Sequence, residues 1–114
     1  MTSLKHTELK YLAVDWLQSQ GYEDIELEVH VLQKIAGRKP GRGSFKIDVV
    51  GRKDGKRVAV ECGGSKDTKL AVLATLFHEI YILPYGSTEP YTWEWGMQIC
   101  GECGNLTSFD RSKS

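Results

Sequence analysis

The chain lacks the features that would place it in several large classes of protein. Its 114 residues contain no apolar run long enough to cross a bilayer, and Met1-Thr2-Ser3-Leu4-Lys5 does not open a signal-peptide pattern. The expectation is therefore a cytoplasmic protein. Cysteine is scarce: Cys62, Cys100 and Cys103, without a secretory signal, argue for thiols or a metal rather than a disulfide framework. Net charge is also absent, with 15 Lys and Arg against 15 Asp and Glu. The glycines of KIAGRKPGRG (34–43) form no dinucleotide fingerprint, because no strand-turn-helix frame surrounds them.

The zero net charge hides an asymmetry. Between residues 33 and 57 the basic residues are Lys34, Arg38, Lys39, Arg42, Lys46, Arg52, Lys53, Lys56 and Arg57, opposed only by Asp48 and Asp54. A local excess of that kind suits a polyanionic partner. The 34–43 stretch reads as a basic arm broken by Gly37, Pro40, Gly41 and Gly43, able to approach a phosphate backbone closely. An acidic cluster, Glu23, Asp24, Glu26 and Glu28, precedes it.

Residues 44–66, SFKIDVVGRKDGKRVAVECGGSK, read as a β-hairpin with an acid in each arm. Phe45, Ile47 and Val49 alternate with Lys46, Asp48 and Val50, and Val58, Val60 and Cys62 alternate with Ala59, Glu61 and Gly63. Asp54-Gly55 is a two-residue turn signal, since both positions tolerate positive φ. Asp48 and Glu61 thus sit among apolar neighbours, where an isolated carboxylate is costly unless it is paired or holds a cation. A divalent-metal site follows as the expectation, against the simpler reading of two charges on a half-solvated hairpin.

Around this hairpin, residues 3–20 predict a helix with an apolar stripe of Leu9, Leu12, Ala13, Trp16 and Leu17, ended by Gly21. Glu8 lies at the margin of that stripe. Residues 25–32 alternate as a strand on which His30 is a surface residue. Residues 68–77 predict a buried helix capped by Ser65 or Asp67, and 79–83 a short strand stopped by Pro84. The order α-β-β-β-α-β predicts an α/β domain with a mixed sheet flanked by helices. A core over 1–86, which the resemblance given below makes nuclease-like, would be followed by 87–114, within the same domain. That part would hold a strand at Tyr91–Trp95, then Cys100-Gly-Glu-Cys103-Gly104, then a frayed tail from 107. The C-x-x-C-G turn has the form of one zinc knuckle; four ligands are needed, so Zn²⁺ would require another chain, Cys62 or His78. The aromatic segment could pack in the core, stack on bases or build a homodimer.

A helix carrying Glu8, a strand, a hairpin with Asp48 then Glu61, a helix and a strand together resemble the PD-(D/E)XK nuclease superfamily. The layout is nearest to archaeal Holliday junction resolvases and covers about residues 8–84. The resemblance implies a restriction-endonuclease-like core and metal-dependent hydrolysis of nucleic acid, in all expectation DNA. Asp48, Glu61 and the Cys62 carbonyl would hold Mg²⁺ or Mn²⁺, with Glu8 as the helical acid. Two positions depart from the pattern: Ile47 replaces a proline, and Gly63 stands where the family has its catalytic lysine. Lys46, Lys66 or Lys69 must then supply that cation, with Lys66 or Lys46 favoured and Lys69 otherwise a nucleic-acid contact beside Arg38, Lys39 and Arg42. The alternative is a nuclease-fold module that has lost cleavage and binds nucleic acid or a protein.

Overall fold

A computed structural model describes residues 4–32 and 44–109. Helix α1 (Leu4–Ser19) buries Leu9, Ala13 and Leu17, a spacing of four residues that keeps them on one face. Full burial of each leucine contributes about 1.5–3 kcal/mol. Leu12, expected on the stripe, is exposed, whereas Lys10 is buried. The helix ends in a Schellman motif: Tyr22 N–H donates to the Leu17 carbonyl at 3.0 Å and Gly21 N–H to the Gln18 carbonyl at 3.1 Å. Gly21 has φ +87°, a conformation open to glycine without a Cβ penalty.

Strands β1 (Glu23–Leu32), β2 (Ser44–Lys53) and β3 (Lys56–Cys62) form an antiparallel meander. Asp54 and Gly55 have φ of 51° and 79°, as a primed hairpin turn requires, and Lys53 pairs with Lys56 to close it. Helix α2 (Asp67–Leu76) then crosses over to β4 (Glu79–Leu83), which runs parallel to β3, and β5 (Tyr91–Thr92) adds an antiparallel edge. The result is a five-stranded mixed sheet in the order β1-β2-β3-β4-β5.

Each helix covers one side of this sheet. Leu9, Ala13 and Leu17 pack with Val49, Val58, Val60, Cys62 and Leu83, while Leu70, Leu73 and Phe77 pack with Ile47, Val50, Ala59, Ile80, Ile82, Trp93 and Ile99. Neighbours on β3 alternate between the two clusters, as the pleat demands. On β2 the alternation slips: Ile47 belongs to the α2 side and Val49 to the α1 side. The irregularity falls at Asp48.

Three local expectations need correction. The aromatic strand stops at Thr92, because the chain turns at Glu94–Met97, where Met97 N–H donates to the Glu94 carbonyl and Gly96 has φ +94°. Lys66, in extended geometry and with no side-chain capping bond, occupies the N-cap of α2, so neither Ser65 nor Asp67 caps it. The segment expected to fray from 107 instead contributes to β7 (Leu106–Phe109), paired with β6 (Met97–Ile99) in a separate two-stranded sheet. Among the described residues no helix is long and apolar enough to cross a membrane.

Candidate acidic site at the seam of two strands

Ladder pairing of β2 with β3 ends at Val49 and Val60, and just beyond it the two acids take over. The Glu61 carboxylate accepts from the Asp48 N–H (Oε2, 3.2 Å), and the Asp48 carboxylate accepts from the Cys62 N–H (Oδ2, 2.9 Å). Each side chain thus replaces a backbone carbonyl as partner to the opposite strand, which satisfies amides that the slip would otherwise orphan. Asp48 and Glu61 are 8% and 1% exposed, so both are held inside the fold.

The remaining oxygens are met from the helices. Lys69, in the first turn of α2, places Nζ 2.5 Å from Glu61 Oε1, and the Ser65 hydroxyl donates to the same oxygen at 3.2 Å. Lys69 also donates to the Lys46 carbonyl at 2.6 Å, so one ammonium ties α2 to both strands. From α1, His6 Nε2 lies 3.3 Å from Asp48 Oδ1. Burial pushes the Glu61 carboxyl above the ordinary glutamate range; Lys69 opposes that shift and the Asp48 charge adds to it. The neighbouring Cys62 thiol is pushed up mainly by burial, then by Asp48, and remains an inert core sulfhydryl.

A second pair of charges flanks the acids. Lys10 Nζ lies 2.8 Å from Glu28 Oε1, and Lys46 Nζ lies 3.6 Å from the same oxygen. Its hydrogen bond to Glu28 raises the Lys10 pKa, and the charge of Asp48 adds to the effect. Glu28 has φ +53° in the middle of β1, in the left-handed region that costs a non-glycine residue about 1–2 kcal/mol. The lysine pair holds its carboxylate there, a strained placement within reach of the site.

The structure therefore brings Asp48, Glu61 and Lys69 together, with His6, Ser65, Lys10 and Glu28 around them. It does not bring Glu8 or Lys66. Glu8 is exposed: on a helix that turns His6 and Lys10 inward, a residue two positions from either lies about 200° away. Lys66 is exposed before the helix begins, and Lys46 is engaged with Glu28. Arg38, Lys39 and Arg42 lie outside the described residues. Cys100 and Cys103 sit in the β6–β7 turn, away from the acids in sequence, and both are free thiols. Among the described residues no three His, Cys, Asp or Glu side chains are grouped to hold a metal.

The glycine at position 63 has a local cause. Gly63 has φ +77°, and a Cβ there would stand 2.6 Å from Tyr85 Cε2. The adjoining Gly64 passes so close to the C-x-x-C turn that its Cβ would lie 2.1 Å from the Gly101 carbonyl carbon. A side chain at Gly63 must displace the Tyr85 ring, and one at Gly64 must displace the C-x-x-C turn.

Sequence reasoning missed His6 and Lys10. The signal was their spacing: His6, Lys10, Ala13 and Leu17 recur at helical intervals on one face, polar at one end and apolar at the other. No family model matches the chain, and no curated protein or solved structure is significantly similar to it.

Proposed function

We propose that this chain is a restriction-endonuclease-like protein of the PD-(D/E)XK type that hydrolyses nucleic-acid phosphodiesters with a divalent cation. The observation that carries the reading is the convergence of two buried carboxylates and one ammonium where β2 and β3 part. The order helix, three antiparallel strands, helix, parallel strand supports it as well.

The donor set suits Mg²⁺ or Mn²⁺. Asp48 and Glu61 offer hard carboxylate oxygens, and such ions are commonly held by one or two carboxylates with water and phosphate completing the shell. When bound, the ion lowers the pKa of a coordinated water and offsets charge developing on the phosphate. Asp48 and Glu61 would hold it, and the Cys62 N–H would keep Asp48 oriented from behind. Lys69 takes the role left open by Gly63. Two of its three N–H groups are committed to Glu61 and the Lys46 carbonyl, and the third can donate to a phosphate oxygen. Lys10 and Lys46 add positive charge beside the acids, and the arm bearing Arg38, Lys39 and Arg42 leads directly into β2 to grip the backbone without reading bases.

A specific observation favours a second reading, a module that binds nucleic acid without cutting it. Every carboxylate oxygen of the pair already has a donor within the chain, so its hydrogen bonding is satisfied without a metal ion. The test is incubation with single-stranded, duplex and branched DNA and RNA in Mg²⁺ or Mn²⁺. Cleavage that disappears in Asp48→Asn supports the enzyme. Salt-sensitive binding without cleavage in any of these mixtures selects the module.

A further inference from the structure

The C-terminal hairpin carries chemistry that the acidic site does not use. Between β6 and β7 the chain folds back through Cys100-Gly-Glu-Cys103-Gly-Asn105, closed by Cys100 N–H to the Asn105 carbonyl at 2.9 Å and Gly104 N–H to the Cys100 carbonyl at 3.0 Å. Gly104 has φ +85° and abuts Gly63, where a Cβ would come within 2.4 Å of the carbonyl oxygen. Both thiols lie half-buried on this turn.

Donors address both sulfurs. Backbone donors of Cys103 and Glu102, with the Cys103 thiol, hold the Cys100 thiol below its ordinary range. Asn105 Nδ2 donates to Cys103 Sγ at 3.1 Å. Such donors stabilise a thiolate over a thiol, and a turn presenting two oriented thiolates matches what a thiophilic tetrahedral cation requires.

Among the described residues no third His, Cys, Asp or Glu side chain is grouped with the two thiols. The chain's only other cysteine, Cys62, is buried in the cluster beneath α1. Its histidines are His6, His30 and His78. His6 lies on Asp48, and His30 is exposed on β1, two strands from β3. His78 accepts the Arg57 N–H at 2.9 Å, near the start of β3, whereas the cysteine turn docks beyond that strand's end through Gly64 N–H to the Glu102 carbonyl at 3.1 Å. The intervening strand spans on the order of 15–20 Å.

We propose that the Cys100/Cys103 turn is half of a four-thiolate zinc site, completed by the same turn of a second copy of this chain around a two-fold axis. Zinc binding displaces the thiol protons to solvent and leaves the four sulfurs as thiolates. Identical pairs meeting across a two-fold axis supply the tetrahedral set, and the exposed turn residues Gly101 and Glu102 leave the approach open. The turn's backbone bonds to Gly64 and, through the Cys103 carbonyl, to Tyr85 N–H at 2.9 Å would couple zinc to the loop that follows Glu61. This inference stands apart from the nuclease reading, since its test does not involve cleavage.

The experiment titrates reduced, metal-stripped full-length protein with Co²⁺ and then Zn²⁺, while mass is followed by light scattering. The expected result is an intense thiolate-to-cobalt absorption that saturates at one metal per two chains, with a doubling of mass that chelation reverses. Cys100→Ser and Cys103→Ser should each abolish the absorption and the dimer, and Asp48→Asn should retain both. Wild-type protein with and without chelator needs no variant to fold. The proposal is overturned by saturation at one metal per chain on a monomer, by a dimer indifferent to chelation, or by absence of a thiolate signal.

Discussion

Replacing Lys69 with methionine removes the one ammonium that joins α2 to Glu61 while keeping most of the side-chain volume. Glu61 is 1% exposed, so its ionised form would be left buried without its cation. Breaking a buried pair from one side costs about 3–5 kcal/mol, and the bond to the Lys46 carbonyl adds roughly 1 kcal/mol. Two features pull the total toward the low end. The Lys69 side chain is 21% exposed, and Glu61 can take up a proton once its partner has gone. The Glu61 carboxyl already lies above the ordinary glutamate value of 4.5 and rises further in the variant. For a raised carboxyl, stability is full below the unfolded-state value and is lost as pH climbs through the folded-state value. Lys69→Met should therefore lose about 3 kcal/mol near pH ~8 and only about 1 kcal/mol near pH ~5. Urea unfolding followed by tryptophan fluorescence at both pH values measures it. An equal loss at the two pH values, or no loss at the higher one, refutes the account of Glu61 as a buried charge neutralised by Lys69.

Glu61→Gln should destabilise the protein by about 1–3 kcal/mol and abolish cleavage, because its amide N–H₂ meets a donor where the carboxylate accepted and Lys69 loses its counter-charge; thermal melts against the wild type measure the loss. Gly63→Lys supplies the lysine of the PD-(D/E)XK pattern but should destabilise the protein by about 2 kcal/mol or more without adding activity, because φ +77° and the Tyr85 ring oppose it; a denaturant midpoint decides. Reversing the charges of Arg38, Lys39 and Arg42 should weaken nucleic-acid binding and flatten its salt dependence, and unchanged affinity would move the interface elsewhere.

How much of this could be read from the sequence depends on how local each cause is. The hairpin with its two acids was legible because strict alternation and Asp54-Gly55 fix strand, turn and register within a dozen residues. What alternation could not show is the slip at Asp48, which moves Ile47 and Val49 to opposite sides and lets each carboxylate clasp the other strand's backbone. The choice among Lys46, Lys66 and Lys69 was equally hidden. It depends on where α2 begins, and Lys66 falls just outside the helix in extended geometry while Lys69 falls inside its first turn. Glu28 gave no sign at all, since glutamate has no preference for the left-handed backbone that it adopts. The β6–β7 hairpin was missed because strands of three and four residues, interrupted by glycine, carry too short a pattern to stand out.

The most direct test of the central claim compares single-turnover DNA cleavage by wild-type protein, Asp48→Asn and Lys69→Met in Mn²⁺, with protein in excess and at a temperature where all three are folded. If the acids and Lys69 form one hydrolytic centre, the wild type cleaves and both variants lose about 100-fold or more in rate, with DNA affinity held within a few-fold. Wild-type cleavage that persists in Asp48→Asn, or a Lys69→Met variant as fast as wild type, would contradict it.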